Sequence, residues 1–546
     1  MDNQLYYGDN LEILQDNIPD GSVDLCYIDP PFNSNRDYNQ IYNNIGKDVA
    51  QATAFTDTWE WDRAAVEGLK RFDLVKGDKK IPLKTKHLIA GLFKVLERGS
   101  MMAYIISITQ RIIEIYRVLK PTGSFYLHCD PTASHYLKLI LDSVFCENGG
   151  DFKNEIVWRR HYSHNDGKKF GCIHDIILFY TKSKNYTYNR QHYAYTNEYA
   201  LKKYNGIDEK TLRRFRSVSM NAPGQGDAKY FGDKLLEPPK GTHWRWSQDR
   251  INESIENGII YFTKNGVPRY KQFLDEMEGV PVQDTWTEFY GLSSHDKERL
   301  GYPTQKPEAL MEIIINASSN IGDVVLDAYC GCGTTVAVAQ RLKRKWIGID
   351  ITYQSIYVIL KRLEEHFGKK IINHIEISGI PRDIESAKAL AHKKEDKTRK
   401  EFEKWAVITY SNNEGTPNEK KGADKGIDGV LNIYWNADAE AKEVLFSVKS
   451  GHVSVAQIRD FLHVIDRENA AAGVFITLEE PTKPMILEAK SAGTVTIPLT
   501  GQSVEKLQIV SIQEILDGKR ANFPLTINPL KKAERKIEDN QSKIVF

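Results

Sequence analysis

Cysteine is scarce: six residues in 546 (Cys26, Cys129, Cys146, Cys172, Cys330 and Cys332), of which only Cys330 and Cys332 are close in sequence. A C-x-C pair without a second cluster does not complete a zinc site, and scattered thiols do not make a disulfide framework. The cysteines are therefore read as reduced and mostly buried, holding no structural metal. No apolar run is long enough to span a bilayer, and MDNQLYYGDN has neither the basic start nor the apolar core of a secretion signal. A soluble cytoplasmic protein is the expectation. An excess of one charge is also missing, since 74 Lys plus Arg face 73 Asp plus Glu and leave a net +1. That balance neither supports nor excludes nucleic acid, because phosphate is bound by a local patch.

Length is present in quantity. With 546 residues and 41% hydrophobic content, roughly two to four domains are expected. VDLCYI (Val23 to Ile28) is a short apolar run halted by DPP, and reads as a buried strand with a loop at its C-terminal end. In YIISITQRIIEIYRVLKPTGSFYLHCD the first part has helical spacing, Pro121–Gly123 reads as a turn and Ser124 to Cys129 as a strand. HYLKLILDSVF is helical again, and this alternation predicts a layered α/β sheet. From about Tyr186 to Ser294 the pattern dissolves into Tyr-, Gly- and Pro-rich sequence. Regularity returns with a helix over Pro307 to Ser319, the strand DVVLDAY, the glycine loop CGCGTT, a helix VAVAQRLK and the strand KWIGIDI. AKALAHKKEDKTRKEFEKW is charged and helical, and is expected to link to a separate domain in which GVLNIYW, EVLFSVKS and AGVFITL are strands.

One segment is unbalanced in charge. Between Asp151 and Val218, 14 Lys plus Arg stand against 7 Asp plus Glu, interleaved with aromatics such as Trp158, Tyr162, Phe170, Tyr180 and Tyr204. Basic groups among stacking rings suit a nucleic-acid groove, and equally a solvated face on a β-rich subdomain.

VLDAYCGCGTT places Gly331 and Gly333 between a strand and a helix, where glycine permits a tight turn and close approach of a ligand. Asp327 ends the strand before the loop, where a carboxylate can accept from a cofactor's amino group. Asp350 ends the next strand, 19 residues after Gly331, the spacing at which an acid grips ribose hydroxyls. The third glycine of the nicotinamide fingerprint is missing and the loop holds no basic residue. A ribose-bearing ligand without phosphates fits better, and S-adenosylmethionine is such a ligand.

TQKPEALMEIIINASSNIGDVVLDAYCGCGTT resembles the cofactor-binding block of the amino-group (N6-adenine/N4-cytosine) DNA methyltransferases, and DPPF resembles their catalytic motif. YGDNLEIL is similar to the acidic element near the cofactor's adenine, and NEIVWRR…IHDIILFYTKSKNYTY to the blocks that follow. The resemblance covers roughly residues 1 to 380, with the catalytic motif ahead of the glycine loop, the permuted order of the β class. It implies a Rossmann-like methyltransferase sheet over residues 1–188 and 296–385, interrupted by a target recognition insert at 189–295. It implies catalysis by Asp29, Pro30, Pro31 and Phe32, and cofactor contacts from Asp9, Lys306, Pro307, Asp327, Tyr329, Gly331, Gly333, Thr334 and Asp350. His128 and Asp130, in LHCD, end a strand near the expected site, or are ordinary strand-end polar groups. Double-stranded DNA is the implied partner. Family precedent adds a homodimer, with a separate restriction or helicase subunit left open. An aspartate in the first motif position favours adenine N6, with cytosine N4 left open.

The chemistry asks for those residue types. An exocyclic amine on a base is a poor nucleophile because its lone pair is delocalised. Two acceptors aimed at its hydrogens, a carboxylate of Asp29 and the Pro30 carbonyl, localise the pair and stabilise developing positive charge. Pro31 biases Pro30 to an extended backbone. Phe32 can stack on a base flipped out of the duplex.

GADKGIDGVLNIYW…EVLFSVKSG, followed by AGVFITL, resembles the Mrr-like branch of the PD-(D/E)XK nucleases, an α/β restriction-endonuclease-like fold expected over residues 401–530, after a charged linker at 386–400 and before a charged tail at 531–546. The resemblance implies Mg²⁺ held by Asp428, with Lys449 placing the nucleophile; Ser447 stands where the family has Glu or Gln, which puts cleavage in doubt. Glu403, in FEKW, is a further candidate carboxylate, a surface salt bridge being its ordinary fate.

Overall fold

The computed structural model describes residues 3–31, 36–42, 50–57, 61–163, 168, 170–293, 296–300, 302, 304–392, 396–412, 414–418, 426–436, 441–524 and 526. The chain divides into two compact units, residues 1–189 with 284–546, and residues 190–283.

The first unit is organised by a nine-stranded sheet. Its elements in chain order are β1 (Asn3–Tyr7), α1 (Asn10–Asp16), β2 (Val23–Ile28), α2 (Ser100–Val118), β3 (Leu119–Cys129), α3 (Pro131–Val144), β4 (Asp151–Arg159), β5 (His174–Thr181), β6 (Thr285–Trp286), α4 (Glu308–Ser318), β7 (Val324–Asp327), α5 (Thr334–Arg341), β8 (Lys345–Asp350), α6 (Tyr353–Phe367) and β9 (Ile375–Ser378). The strand order is β6-β4-β5-β3-β2-β7-β8-β1-β9. Every neighbouring pair is parallel except those of β5, which runs antiparallel to β3 and β4. The central strands are apolar runs because parallel strands are covered on both faces: all of β7 is buried, as is β2 apart from Asp24. In α2 the apolar residues recur at helical spacing, and α3 starts where Asp130 accepts from the Ala133 amide with Pro131 in the first turn.

One turn is absent. Pro121–Gly123 lies inside β3, whose pairing with β2 slips between Val23–Leu119 and Leu25–Ser124. The strand absorbs the extra residues as an irregularity instead of ending.

The order of the sheet brings distant segments together. Asp327 at the end of β7 is paired with Tyr27 of β2, and on its other side with Gly348 of β8. Tyr7 of β1 is paired with Asp350. The carboxyl ends of β2, β7, β8 and β1 therefore stand side by side. β2 continues to β3 on one side and β7 to β8 on the other, which makes the crevice between β2 and β7 a switch point of the kind that holds ligands in open α/β sheets.

The C-terminal part adds α7 (Ile384–His392), α8 (Asp396–Tyr410), β10 (Thr416–Pro417), β11 (Gly429–Tyr434), β12 (Ala441–Lys449), α9 (Val455–Arg467), β13 (Ala472–Thr477) and β14 (Leu507–Ser511). The five strands form a mixed sheet in the order β10-β11-β12-β13-β14. Alternate residues of β12 serve two cores: Val444, Phe446 and Val448 pack with Trp405, Ala406 and Val407 of α8, and Leu445 packs with Ile458, Phe461 and Ile465 of α9. Within the stretch expected as a linker, 386–392 lie in α7 and 396–400 in α8, and Ala387 and Ala391 are buried in the core that also takes Phe402 and Trp405 of α8 and Tyr353, Tyr357 and Val358 of α6. This sheet therefore shares a core with the first instead of hanging from it.

In the second unit a four-stranded antiparallel sheet pairs Arg214–Ser219 with Pro268–Phe273 at its centre. A small core gathers Met220, Phe231, Trp244, Ile251 and Ile260. Lys271 pairs with Asp208 at 2.5 Å, and Arg250 lies over the Trp246 ring. Several aromatics of the basic segment are structural and offer no stacking face, since Trp158, Tyr180 and Tyr204 are buried; Tyr162 and Phe170 are exposed. Of the cysteines, Cys26, Cys129, Cys330 and Cys332 are buried free thiols, and Cys146 and Cys172 are exposed. Among the described residues no helix is long and apolar enough to cross a membrane.

Candidate active site

Asp29 follows the last residue of β2, and the two prolines after it cannot donate to a ladder. Its Oδ2 accepts from the Lys306 ammonium, and its Oδ1 is buried with no hydrogen-bond partner among the described residues. A buried carboxylate oxygen without a hydrogen bond is open to accept one from a bound group. Phe32 lies outside the described residues.

Behind Asp29 runs a buried chain. The Tyr27 hydroxyl and His128 Nδ1 are 2.8 Å apart, His128 Nε2 is 3.2 Å from Asp175, and the Arg160 guanidinium lies 3.2 Å from the same carboxylate. Burial works against the charge of Asp175, yet His128, Lys306 and Arg160 together hold its pKa below the ordinary value. His128 is thus a fully enclosed member of this network, while Asp130 caps α3.

The glycine loop follows β7. Gly331 and Gly333 both have left-handed backbones, at φ +49° and +73°, and a Cβ on Gly333 would lie 2.7 Å from Ile359 Cγ1. The Gly331 amide donates to Asp350 Oδ2 at 2.9 Å, and Asp350 Oδ1 accepts from the amide and hydroxyl of Thr352. Asp327 accepts from the Tyr329 amide at 3.0 Å, and the Tyr329 ring packs on the core. Burial, reinforced by Asp29 and Asp350, pushes the Asp327 carboxyl up to about 7, and burial raises Asp350 as well. Three acids thus converge at the ends of adjacent strands, a setting complementary to a cationic ligand with hydroxyl groups.

Asp9 caps α1 through the Leu11 amide, and Arg111 of α2 donates to both its oxygens at 3.1 Å. Arg111 also donates to Asn10 Oδ1, and Asn10 Nδ2 donates to the Ala328 carbonyl at 2.7 Å, joining this corner to the glycine loop. Thr334 opens α5; its hydroxyl donates to the Lys306 carbonyl and accepts from the buried Arg362, which also pairs with Glu308 at 2.6 Å. Pro307 precedes α4 without a side-chain cap. Asn10, Arg111 and Arg362 were not singled out from sequence. Only Asn10, next to Asp9, carried a local signal, because the two arginines reach the site from helices distant in the chain.

A second cluster lies between α8 and β12. Asp428 Oδ2 accepts from the Val448 amide at 2.7 Å, with Lys449 Nζ at 3.3 Å and the Ser447 hydroxyl at 3.4 Å. Lys400 Nζ is 2.7 Å from Glu403 and 4.0 Å from Asp428. Burial, then the Asp428 charge, raises the pKa of Glu403. Among the described residues no group of three or more His, Cys, Asp and Glu suited to a metal is found. Asp428 and Glu403 would supply two hard oxygen donors to a magnesium ion, were Lys400 to give way. Glu401, on the opposite side of α8, accepts from the Tyr7 hydroxyl at 3.2 Å and the Tyr353 amide at 3.1 Å.

An open, doubly wound α/β sheet with polar groups converging at its switch point, sharing a core with a smaller mixed sheet, is the class these features define. The chain belongs to the DNA methylase family, whose model matches residues 23–361, more than half its length. Residues 396–505 match the model of a restriction endonuclease family. The chain is 34% identical over 262 residues to the type II methyltransferase M.EcaI of Enterobacter cloacae, covering 48% of this chain and 57% of that protein. It is 24% identical over 354 residues to the Mod subunit of the type III restriction-modification enzyme StyLTI of Salmonella typhimurium, covering 62% and 50%. The DNA adenine methyltransferase YhdJ of Escherichia coli is 27% identical over 362 residues, covering 66% and 82%. The chain thus spans about half the length of the first two relatives.

Proposed function

We propose that this chain transfers a methyl group from S-adenosylmethionine to the N6 amine of adenine in duplex DNA. The observation that carries the reading is Asp29 Oδ1, buried and unpartnered at the end of β2 and next to the glycine loop of β7. The target base must leave the stack to reach it. Asp29 Oδ1 and the Pro30 carbonyl then accept from the amine, raising the electron density on nitrogen as positive charge develops. Asp350 and Asp327 are the groups that would hold the cofactor, and the left-handed backbones of Gly331 and Gly333 shape the loop beside them. The bound cofactor would supply an electrophilic methyl group on a sulfonium: as the new N–C bond forms the S–C bond breaks and a neutral thioether leaves, and the amine's proton passes to solvent. An aspartate at the first motif position, and the 27% identity to an adenine methyltransferase, support N6 over cytosine N4.

A second reading concerns the C-terminal cluster. The convergence of Asp428, Glu403 and Lys449 beside β12 supports a fused Mg²⁺-dependent endonuclease, as in a restriction-modification system. Asp428 and Glu403 would hold the ion, which when bound activates water and neutralises phosphate charge. Ser447 hydrogen-bonds to Asp428 and is a weaker ligand than an acid.

One experiment tests both. The chain is incubated with unmethylated plasmid DNA, with and without S-adenosylmethionine and Mg²⁺; products are read as methylated nucleosides by mass spectrometry and as strand breaks on a gel. N6-methyladenine is expected. Asp29→Ala should lower transfer by about 100-fold or more with cofactor binding retained, as for an interaction made in the transition state. N4-methylcytosine would reassign the base, and full activity in Asp29→Ala would overturn the site. Mg²⁺-dependent breaks that vanish in Asp428→Asn are expected of the second reading, and intact DNA throughout would remove it.

A further inference from the structure

Lys306 stands in a loop that belongs by sequence to the cofactor block, yet its contacts lead to the opposite side of the crevice. Its ammonium donates to Asp29 Oδ2, while its carbonyl accepts from the Thr334 hydroxyl at 3.3 Å, at the start of α5. The side chains are enclosed, Lys306 at 11% exposure and Asp29 at 17%. Pro307 restricts Lys306 to an extended backbone, as Pro31 restricts Pro30. Thr304, two residues earlier, is held at φ +60°, a left-handed conformation that a β-branched residue adopts only under constraint from its surroundings. The loop is shaped so that the ammonium crosses to β2.

The electrostatics give that crossing a purpose. Asp29, Asp327 and Asp350 end three adjacent strands. Like charges on neighbouring strand ends conflict with one another, and a carboxylate accepts an amine hydrogen more strongly than a neutral oxygen does. A cation seated on Asp29 resolves the conflict, and it does so on one oxygen only, leaving Oδ1 without a partner.

We infer that Lys306 is a positioning residue of the transfer site: by binding Asp29 Oδ2 it turns Oδ1 toward the amine. This differs from a cofactor ligand, the role that resemblance implied, and it rests on the amine-transfer reading above.

The test uses the full chain, Lys306→Met and Lys306→Arg, with unmethylated plasmid DNA and tritiated S-adenosylmethionine. Lys306→Met should slow single-turnover transfer by about 100-fold, in the range of losing one charge-stabilising group, while the dissociation constant for S-adenosylmethionine changes less than about threefold. Lys306→Arg, which retains charge and reach, should recover most of the rate. A Lys306→Met variant that transfers at the wild-type rate, or that loses cofactor affinity with its saturated rate intact, overturns the inference. Failure of wild-type protein to label DNA would instead count against the function.

A second measurement works without activity. Thermal melting of Lys306→Met, Asp29→Asn and the double variant forms a cycle. If Lys306 compensates Asp29, Lys306→Met melts early and Asp29→Asn in the same chain restores the melt. Additive losses would sink the pairing.

Discussion

Asp327 has its carboxyl enclosed between Asp29 and Asp350, and burial, reinforced by those two charges, raises its pKa to about 7. The sign of the consequence follows from linkage. A carboxyl whose pKa is raised on folding favours the fold while protonated; that contribution is complete below the unfolded value of 3.8 and is lost as pH rises through about 7. The ligand-free chain should therefore melt at a lower temperature at pH 8 than at pH 6, and Asp327→Asn should flatten that difference. Identical pH dependence in the two proteins would exclude Asp327 as the source. A cationic cofactor reverses the preference by favouring the ionised form, so its binding near pH 7 should release protons, seen in calorimetry as a dependence on buffer ionisation enthalpy.

The loop from β7 to α5 is the element on which the candidate site turns. Gly333 has φ +73°, and a Cβ there would meet Ile359 of α6 at 2.7 Å. Gly333→Ala should lose roughly 1–3 kcal/mol of stability from the left-handed backbone and the displaced helix, together with cofactor affinity. An unchanged urea midpoint would show that the loop relaxes freely. This element was legible in sequence because glycines between an apolar run and a helix have few other uses. β2, β7 and β8 were legible for a related reason, their burial on both faces making them near-continuous apolar words. Other parts were hidden. Arg111 meets Asp9 from 102 residues away, and only packing of α2 on α1 brings them together. The burial of Ala387 and Ala391 does not show in sequence, because the hydrophobic signal of two small alanines is outweighed by the lysines and acids around them. Pro121 suggested a turn, yet the parallel pairing on either side carries the strand through it.

At the scale of the molecule, α8 faces two ways. Glu401 reaches Tyr7 and Tyr353 beside the crevice of the large sheet, and Lys400 and Glu403 reach Asp428 of the small one. Ending the chain at residue 395 removes α8 and uncovers Tyr353, Tyr357 and Val358, which share its core. The truncated protein should melt earlier than the full chain and bind S-adenosylmethionine more weakly; equal melting and equal affinity would show that the large sheet is self-sufficient. The shared helix has a consequence for inheritance if both proposed activities are present. A cell carrying a DNA-cutting activity is safe only while its own DNA is marked, and two independent genes can lose the mark while keeping the cutter. Here a frameshift or a deletion that reaches α8 strikes the support of both sites in one event, so such lesions would tend to leave behind a silent protein instead of an unguarded one.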